Sequence, residues 1–60
     1  MRTVNGLWLK QLREDAGLTQ RQFGIRVHKS SPYLSDIERN RRECPERIYE
    51  AYRNLERKPK

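Results

Sequence analysis

The chain has 60 residues, 33% of them hydrophobic, and 14 Lys and Arg against 8 Asp and Glu leave a formal net charge of +6. A chain of this length forms at most one domain, residues 1–60, whose core is too small to hold the deep pocket of an enzyme. Such a positive charge on a small domain is typical of polyanion binders and favours nucleic acid as the partner.

Cys44 and His28 are the only residues of their types. One chain can therefore form neither an internal disulfide nor a four-ligand zinc site from them, and we expect no metal or other cofactor. We expect Cys44 to be a half-buried filler rather than a redox switch. The sequence contains neither the apolar run of a signal peptide nor a membrane span, so a cytoplasmic protein that binds no membrane is expected.

The first predicted helix covers roughly residues 5–15. Leu9, Leu12 and Ala16 recur there at helical spacing, Leu7 and Trp8 extend the apolar stripe, and Gly17 is suited to ending the helix.

The second predicted helix covers roughly residues 20–27. It begins with a capping box, in which the side chains of Thr19 and Gln22 each bind the other's backbone N–H. Gly24 has no side chain, so another helix can cross helix 2 at this point.

The third predicted helix covers roughly residues 31–39. Ser30 or Ser31 can cap it, and Pro32 suits its first turn. Asn40 tolerates the left-handed backbone that ends a helix.

The fourth predicted helix covers roughly residues 45–56 and begins at Pro45. Its apolar residues recur on one face. They are Ile48, Tyr52 and Leu55. Residues 57–60 are predicted to form a basic, solvated tail.

Helices 2 and 3 have the dimensions of a helix-turn-helix unit. The region contains two short sequence motifs, GLTQ at 17–20 and IERN at 37–40. Phe23 and Leu34 lie between these motifs. Over roughly residues 6–55 the chain resembles the Cro/C1-type (XRE-like) helix-turn-helix family of phage and bacterial regulators. The resemblance implies an all-α bundle of four short helices, a shortened lambda-repressor-like domain. It also implies that the protein binds double-stranded DNA.

The sequence departs from the family in and around the turn. Gly24 replaces the usual Ala, His28 the usual turn Gly, and Lys29 an often apolar residue. The tilt of helix 3 depends on this turn.

The outer side of helix 3 is the predicted base-reading surface. If Leu34 and Ile37 point to the core, the N-terminal polar residues face away from it, and helix-turn-helix proteins contact bases mainly with these N-terminal residues. The predicted base contacts are Ser31, Pro32, Tyr33, Ser35 and Asp36. The alternatives are that Ser31 only caps helix 3, that Tyr33 packs against the helix below, and that Asp36 forms an ion pair with a neighbouring arginine.

The predicted contacts to the DNA backbone lie at helix termini and in the loop after helix 3. The N-terminus of helix 2 favours an anion, and the resemblance implies a phosphate contact at Gln20. Arginines beyond helix 3 can clamp phosphates, unless they are only a solvated charge run. The predicted backbone contacts are Gln20, Arg21, Lys29, Ser30, Arg39, Asn40, Arg41 and Arg42.

The resemblance also implies an architectural pair. In similar family members the arginine that closes helix 1 pairs with the glutamate that closes helix 3, here Arg13 and Glu38. Such a pair would fix the angle between the two helices, although its net stabilisation can be small. The alternative is two independent surface charges.

A homodimer on a palindromic operator is expected, because one small helix contacts few base pairs. Its surface is predicted on helix 4, at Tyr49, Tyr52 and Leu55. By analogy with the family, the protein is expected to be a transcriptional repressor or autoregulator of a phage or mobile-element operon. Two alternatives stay open. One is an antitoxin that also binds a toxin, and the other is a helical protein-binding adaptor using Trp8, Ile25, Tyr49 and Tyr52.

Overall fold

The computed structural model describes residues 5–56, which form four α-helices. These are α1 (Gly6–Asp15), α2 (Gln20–Val27), α3 (Ser31–Glu38) and α4 (Glu46–Leu55). The predicted all-α fold class is confirmed, and every helix bound lies within one residue of the predicted one. The predicted basic tail at 57–60 lies outside the described residues.

Side-chain caps begin α2 and α3. At α2 the capping box is present, because Thr19 Oγ1 accepts from Gln22 N at 3.1 Å and Gln22 Oε1 accepts from Thr19 N at 2.8 Å. At α3, Ser30 is the N-cap, and its Oγ accepts from the backbone N–H of Tyr33 at 3.3 Å. Each cap satisfies backbone donors that have no partner inside the helix.

Among residues 5–56, two residues other than glycine adopt left-handed backbone, both at helix ends. They are His28, with φ 62°, and Asn40, with φ 64°. After α3, Asn40 N donates to Ile37 O at 3.1 Å and Arg41 N donates to Asp36 O at 2.8 Å, which is the bonding of a Schellman motif. The chain therefore turns sharply where α3 ends.

The core receives side chains from all four helices and from the segment before α4. Its buried hydrophobic residues are Leu9, Leu12, Phe23, Leu34, Ile37, Cys44, Ile48 and Tyr52. Some expectations about burial were wrong. Cys44 is fully rather than half buried. Three residues predicted on the apolar stripe of helix 1 are exposed, namely Leu7, Trp8 and Ala16, which is the C-cap of α1.

The turn between α2 and α3 lies directly on Gly24. A Cβ atom there would collide with the backbone carbonyl oxygen of Lys29 and would lie 3.5 Å from Leu34 Cδ1. The close approach predicted at Gly24 is therefore present, although the turn itself makes the tightest contact. Gly24 and the left-handed His28 thus shape one compact turn.

Candidate nucleic-acid interface

A buried ion pair joins α1 to α3. Arg13 Nε donates to Glu38 Oε2 at 2.8 Å and Arg13 Nη2 donates to Glu38 Oε1 at 3.0 Å. The two side chains are 7% and 2% exposed. The structure therefore brings together the two residues that the family resemblance pairs, in the bidentate geometry typical of strong arginine–carboxylate contacts.

The same carboxylate also accepts from the other two helices. Gln20 Nε2 of α2 donates to Glu38 Oε1 at 3.2 Å, and the hydroxyl of Tyr52 on α4 donates to Oε2 at 2.7 Å. Arg13 Nη1 also donates to the carbonyl of Leu18, in the segment that leads into α2, at 2.8 Å. Within residues 5–56, no buried side-chain N or O atom lacks a hydrogen-bond partner. The carboxylate on α3 is thus bound by a side chain from each other helix.

The surroundings of Glu38 keep its carboxylate ionised. Burial alone raises the pKa of Glu38, but the hydrogen bonds from Arg13, Tyr52 and Gln20 outweigh it, and the resulting pKa lies below the ordinary value. Burial and the hydrogen bond to Glu38 raise the pKa of Tyr52. At neutral pH the network therefore holds one carboxylate, one guanidinium and a neutral phenol.

Tyr52 does not lie on a dimer surface, which corrects the prediction. Its side chain is 0% exposed, its ring centroid is 4.5 Å from that of Phe23, and its hydroxyl is bound to Glu38. It follows Ile48 by one helical turn, so both point into the core. Tyr49 and Leu55, the other residues of the predicted surface, are half-buried. Burial also removes Tyr52 from the surface predicted for an adaptor.

The predicted base contacts on α3 retain exposed surface, and one of them, Tyr33, also packs against the hydrophobic core. Leu34 and Ile37 are buried, and the residues between and before them keep some exposed surface. Pro32 is exposed, and the half-buried residues are Ser31, Tyr33, Ser35 and Asp36. The N-terminal half of α3 thus presents short polar side chains and one aromatic ring.

Two positively charged side chains contact the ring of Tyr33. Lys29 Nζ lies 5.0 Å and the guanidinium carbon of Arg42 lies 4.6 Å from the ring centroid. Both distances are within the range of cation–π contacts. We call Lys29, Tyr33 and Arg42 the Tyr33 cluster. It joins a residue before α3 to one after it, and the sequence did not predict this contact because nothing local relates positions 29 and 42.

The other predicted phosphate-binding residues fall into two groups. Those with an exposed charge are Arg21, Arg39 and Arg41. The second group makes contacts within the fold: Gln20 donates to Glu38, Ser30 caps α3, and Asn40 Oδ1 accepts from Gly6 N at 2.9 Å. Asn40 thus ties the loop after α3 to the start of α1.

A groove of about 430 Å³ contains a basic residue, Lys10, that was not among the predicted DNA contacts. Its lining residues are Leu7, Lys10, Gln20, Ser35, Glu38, Arg39 and Asn40. It places Lys10 of α1 in the same groove as Gln20 and Arg39, two predicted phosphate contacts. Since Lys10 precedes Arg13 by three residues, helical spacing could have indicated that both face the same side.

The environment of Cys44 keeps its thiol protonated. Burial, and secondarily the charge of Glu46, raise the pKa of the Cys44 thiol to about 11, so its reactive thiolate form is scarce at neutral pH. Among residues 5–56, no three His, Cys, Asp or Glu side chains are grouped so as to hold a metal ion. No helix in this part of the chain is long and apolar enough to cross a membrane.

Comparison with known families gives a match to the model of a helix-turn-helix domain, over residues 6–55. The match spans most of the chain and contains α1 to α4. Comparisons with curated proteins and with solved structures gave no match.

Proposed function

Because the chain belongs to a helix-turn-helix domain family of the Cro/C1-like (XRE-like) clan, we propose that it binds double-stranded DNA sequence-specifically and regulates transcription. The observation that carries this is the α2–α3 unit, whose outer side is polar and is flanked by exposed cations. The net charge of +6 supports the same partner. By family analogy, the protein is a repressor or autoregulator in a phage or mobile-element operon and acts in the cytoplasm.

In this proposal, α3 enters the major groove with its N-terminal half. The groove is roughly 12 Å wide, which admits a helix whose leading side chains are short. Ser31 can donate to or accept from a base edge, Asp36 can accept from cytosine N4, and Pro32 and Ser35 can make close contacts. The carboxylate of Glu38 supports this docking, since it connects α3 to the other three helices.

Phosphate contacts supply most of the affinity and set the register, and they need no cofactor. The charged contributors are Arg21, Lys29, Arg39, Arg41 and Arg42. Ser30 and Asn40 add polar groups beside them. A Gln side chain has two amide N–H donors, so Gln20 can bind Glu38 with one and a phosphate with the other.

The protein binds as a homodimer on a palindromic operator, with its two α3 helices about 34 Å apart along the duplex. Tyr49 and Leu55 remain the proposed contact residues. Trp8 supports this, because its ring lies 6.2 Å from that of Tyr49 and is 37% exposed. Sedimentation of the protein on its best duplex should give two copies. A single copy on every tight-binding duplex would contradict the dimer.

Selection of bound sequences from a random duplex pool tests the function. A two-fold symmetric motif is the expected outcome for a dimer, and an asymmetric motif would indicate a monomer. The matched control is the doubly substituted Ser31→Ala, Asp36→Ala protein, with helicity checked by circular dichroism. It should lose the motif while keeping weak, salt-sensitive binding. Absence of any salt-dependent binding by the wild-type protein would contradict DNA recognition.

A second candidate function is favoured by exposed apolar side chains outside α3. Leu7 is 66% exposed and Ile25 is 69% exposed, and both could contribute to a protein contact. An antitoxin would bind DNA and a toxin protein, and a toxin gene beside its own would support this candidate. A pure adaptor would bind a protein and no DNA.

A further inference from the structure

We propose that Tyr33 is a positioning residue of the DNA interface: its ring holds Lys29 and Arg42 ready to bind phosphates, and it does not read a base. This inference rests on the proposed DNA binding and adds a role for the Tyr33 cluster. Lys29 Nζ and the Arg42 guanidinium both lie within 5.0 Å of the ring centroid. One aromatic ring therefore contacts two of the predicted phosphate-binding residues.

The backbone at both ends of α3 brings these side chains together. Ser30 caps the helix, which places Lys29 just before the cap and Tyr33 in the first turn. At the other end, the Schellman motif with Asn40 in left-handed conformation reverses the chain, so that Arg42 can reach Tyr33. The backbone thus brings the three side chains of the Tyr33 cluster together before any DNA is present.

The ring itself is held by the fold. Tyr33 is half-buried and packs against the hydrophobic core. Its face attracts cations through the ring quadrupole, which offsets the repulsion between two neighbouring positive charges. Long Lys and Arg side chains lose much rotamer freedom when they are ordered. If they are ordered in the free protein, binding to phosphates loses less entropy.

A positioning role and a base contact make different demands on Tyr33. A base contact through the hydroxyl needs the phenolic oxygen, and loss of any base contact changes the preferred base at one operator position. Positioning needs only the aromatic face, and its loss weakens binding to all sequences alike.

The experiment measures dissociation constants for the duplex selected from the random pool, at one fixed salt concentration. Tyr33→Leu, which keeps an apolar side chain against the core, should weaken binding about tenfold, because Lys29 and Arg42 then lose their rotamer freedom only on binding. Tyr33→Phe, which restores the ring, should restore the affinity to within about twofold. In an Arg42→Gln background, Tyr33→Leu should weaken binding by only about threefold, because Lys29 is then the one remaining cation in the cluster.

Thermal melting checks that each variant is folded, and Tyr33→Met replaces the Leu variant if that one is not. Nuclear magnetic resonance of the free protein adds a measurement that needs no DNA. Side-chain protons of Lys29 and Arg42 should show ring-current shifts in the wild type and in Tyr33→Phe, and should lose them in Tyr33→Leu.

Three results would overturn the positioning role in a protein that binds DNA. They are an equal loss in Tyr33→Phe and Tyr33→Leu, losses for Tyr33→Leu and Arg42→Gln that multiply, and a changed base preference in Tyr33→Leu. Failure of the wild-type protein to bind any duplex would instead overturn the proposed function, and the positioning role with it.

Discussion

The hydroxyl of Tyr52 donates to Glu38 Oε2 at 2.7 Å and thereby ties α4 to the last turn of α3 inside the core. The family resemblance implied that Glu38 pairs with Arg13. Because Tyr52 and Gln20 also donate hydrogen bonds to it, the Glu38 carboxylate connects all four helices. The orientation of the proposed DNA-reading helix therefore depends on α2 and α4 as well as on α1.

Replacing Tyr52 by Phe should destabilise the protein while leaving its base preference unchanged. The ring keeps its contact with Phe23, but a buried hydrogen bond to a charged group is lost, which typically costs about 1.5–3 kcal/mol. Urea denaturation measures the loss. The matched control is Tyr49→Phe, because the Tyr49 hydroxyl accepts from Arg53 in an exposed contact. Equal losses of unfolding free energy in the two variants would mean that the buried hydrogen bond to Glu38 contributes no more than the exposed one at Tyr49.

Arg13→Ala and Glu38→Ala should each destabilise the fold by about 3–5 kcal/mol, because each leaves a buried charge without its partner. A double-mutant cycle should give a coupling on the order of 0.5–3 kcal/mol. The exposed pair of Arg53 and Glu56, whose side chains are 51% and 47% exposed, is the control and should show no measurable coupling. Additive losses of unfolding free energy for Arg13→Ala and Glu38→Ala would contradict a direct interaction between the two buried side chains.

Acid should remove the stabilisation that ionised Glu38 provides. The pKa of Glu38 in the folded protein is lower than its ordinary value of 4.5. Its stabilising contribution is therefore complete above that value and is lost as the pH falls through the lower, folded pKa. Unfolding free energies measured between about pH 6 and pH 3 should fall less steeply in Glu38→Gln than in the wild type. The same substitution at exposed Glu50 controls for net charge, and a slope unchanged by Glu38→Gln would contradict the assignment.

Arg41→Gln and Arg42→Gln should each reduce the salt dependence of DNA binding. Every phosphate neutralised contributes about −0.9 to the slope of log K against log salt, so each variant should lose about one unit. Base preference should stay the same. Arg53→Gln removes the same charge from α4, where the side chain binds Glu56 and Tyr49, and should keep the full slope. An undiminished slope in both loop variants would place the phosphate contacts elsewhere.

Asp36→Ala should change which base is preferred at one operator position. A lost base contact costs about 1–3 kcal/mol for the preferred sequence. Removing a carboxylate that phosphates repel should also tighten non-specific binding. Asp15→Ala is the control, since the Asp15 carboxylate accepts from Gln11 on α1. If the selected motif is the same in Asp36→Ala and in the wild type, Asp36 does not read a base.

The sequence alone determined the helices and their ends. The capping box of Thr19 and Gln22 and the left-handed Asn40 act on residues within a few positions of themselves, so their effect can be predicted locally. The spacing of Leu34 and Ile37 likewise indicated which side of α3 faces the core. The family resemblance supplied the pair of Arg13 and Glu38, which no local pattern predicts.

Only the tertiary structure decided where Tyr52 and Arg42 lie. Tyr52 has an apolar ring and a polar hydroxyl, so it can lie either at the surface or in the core. It is buried here because Glu38 supplies a buried acceptor for its hydroxyl. Arg42 reaches Tyr33 because the chain reverses after α3. Both contacts join residues far apart in sequence, and their existence depends on how the helices pack, which periodicity and capping within one helix do not specify.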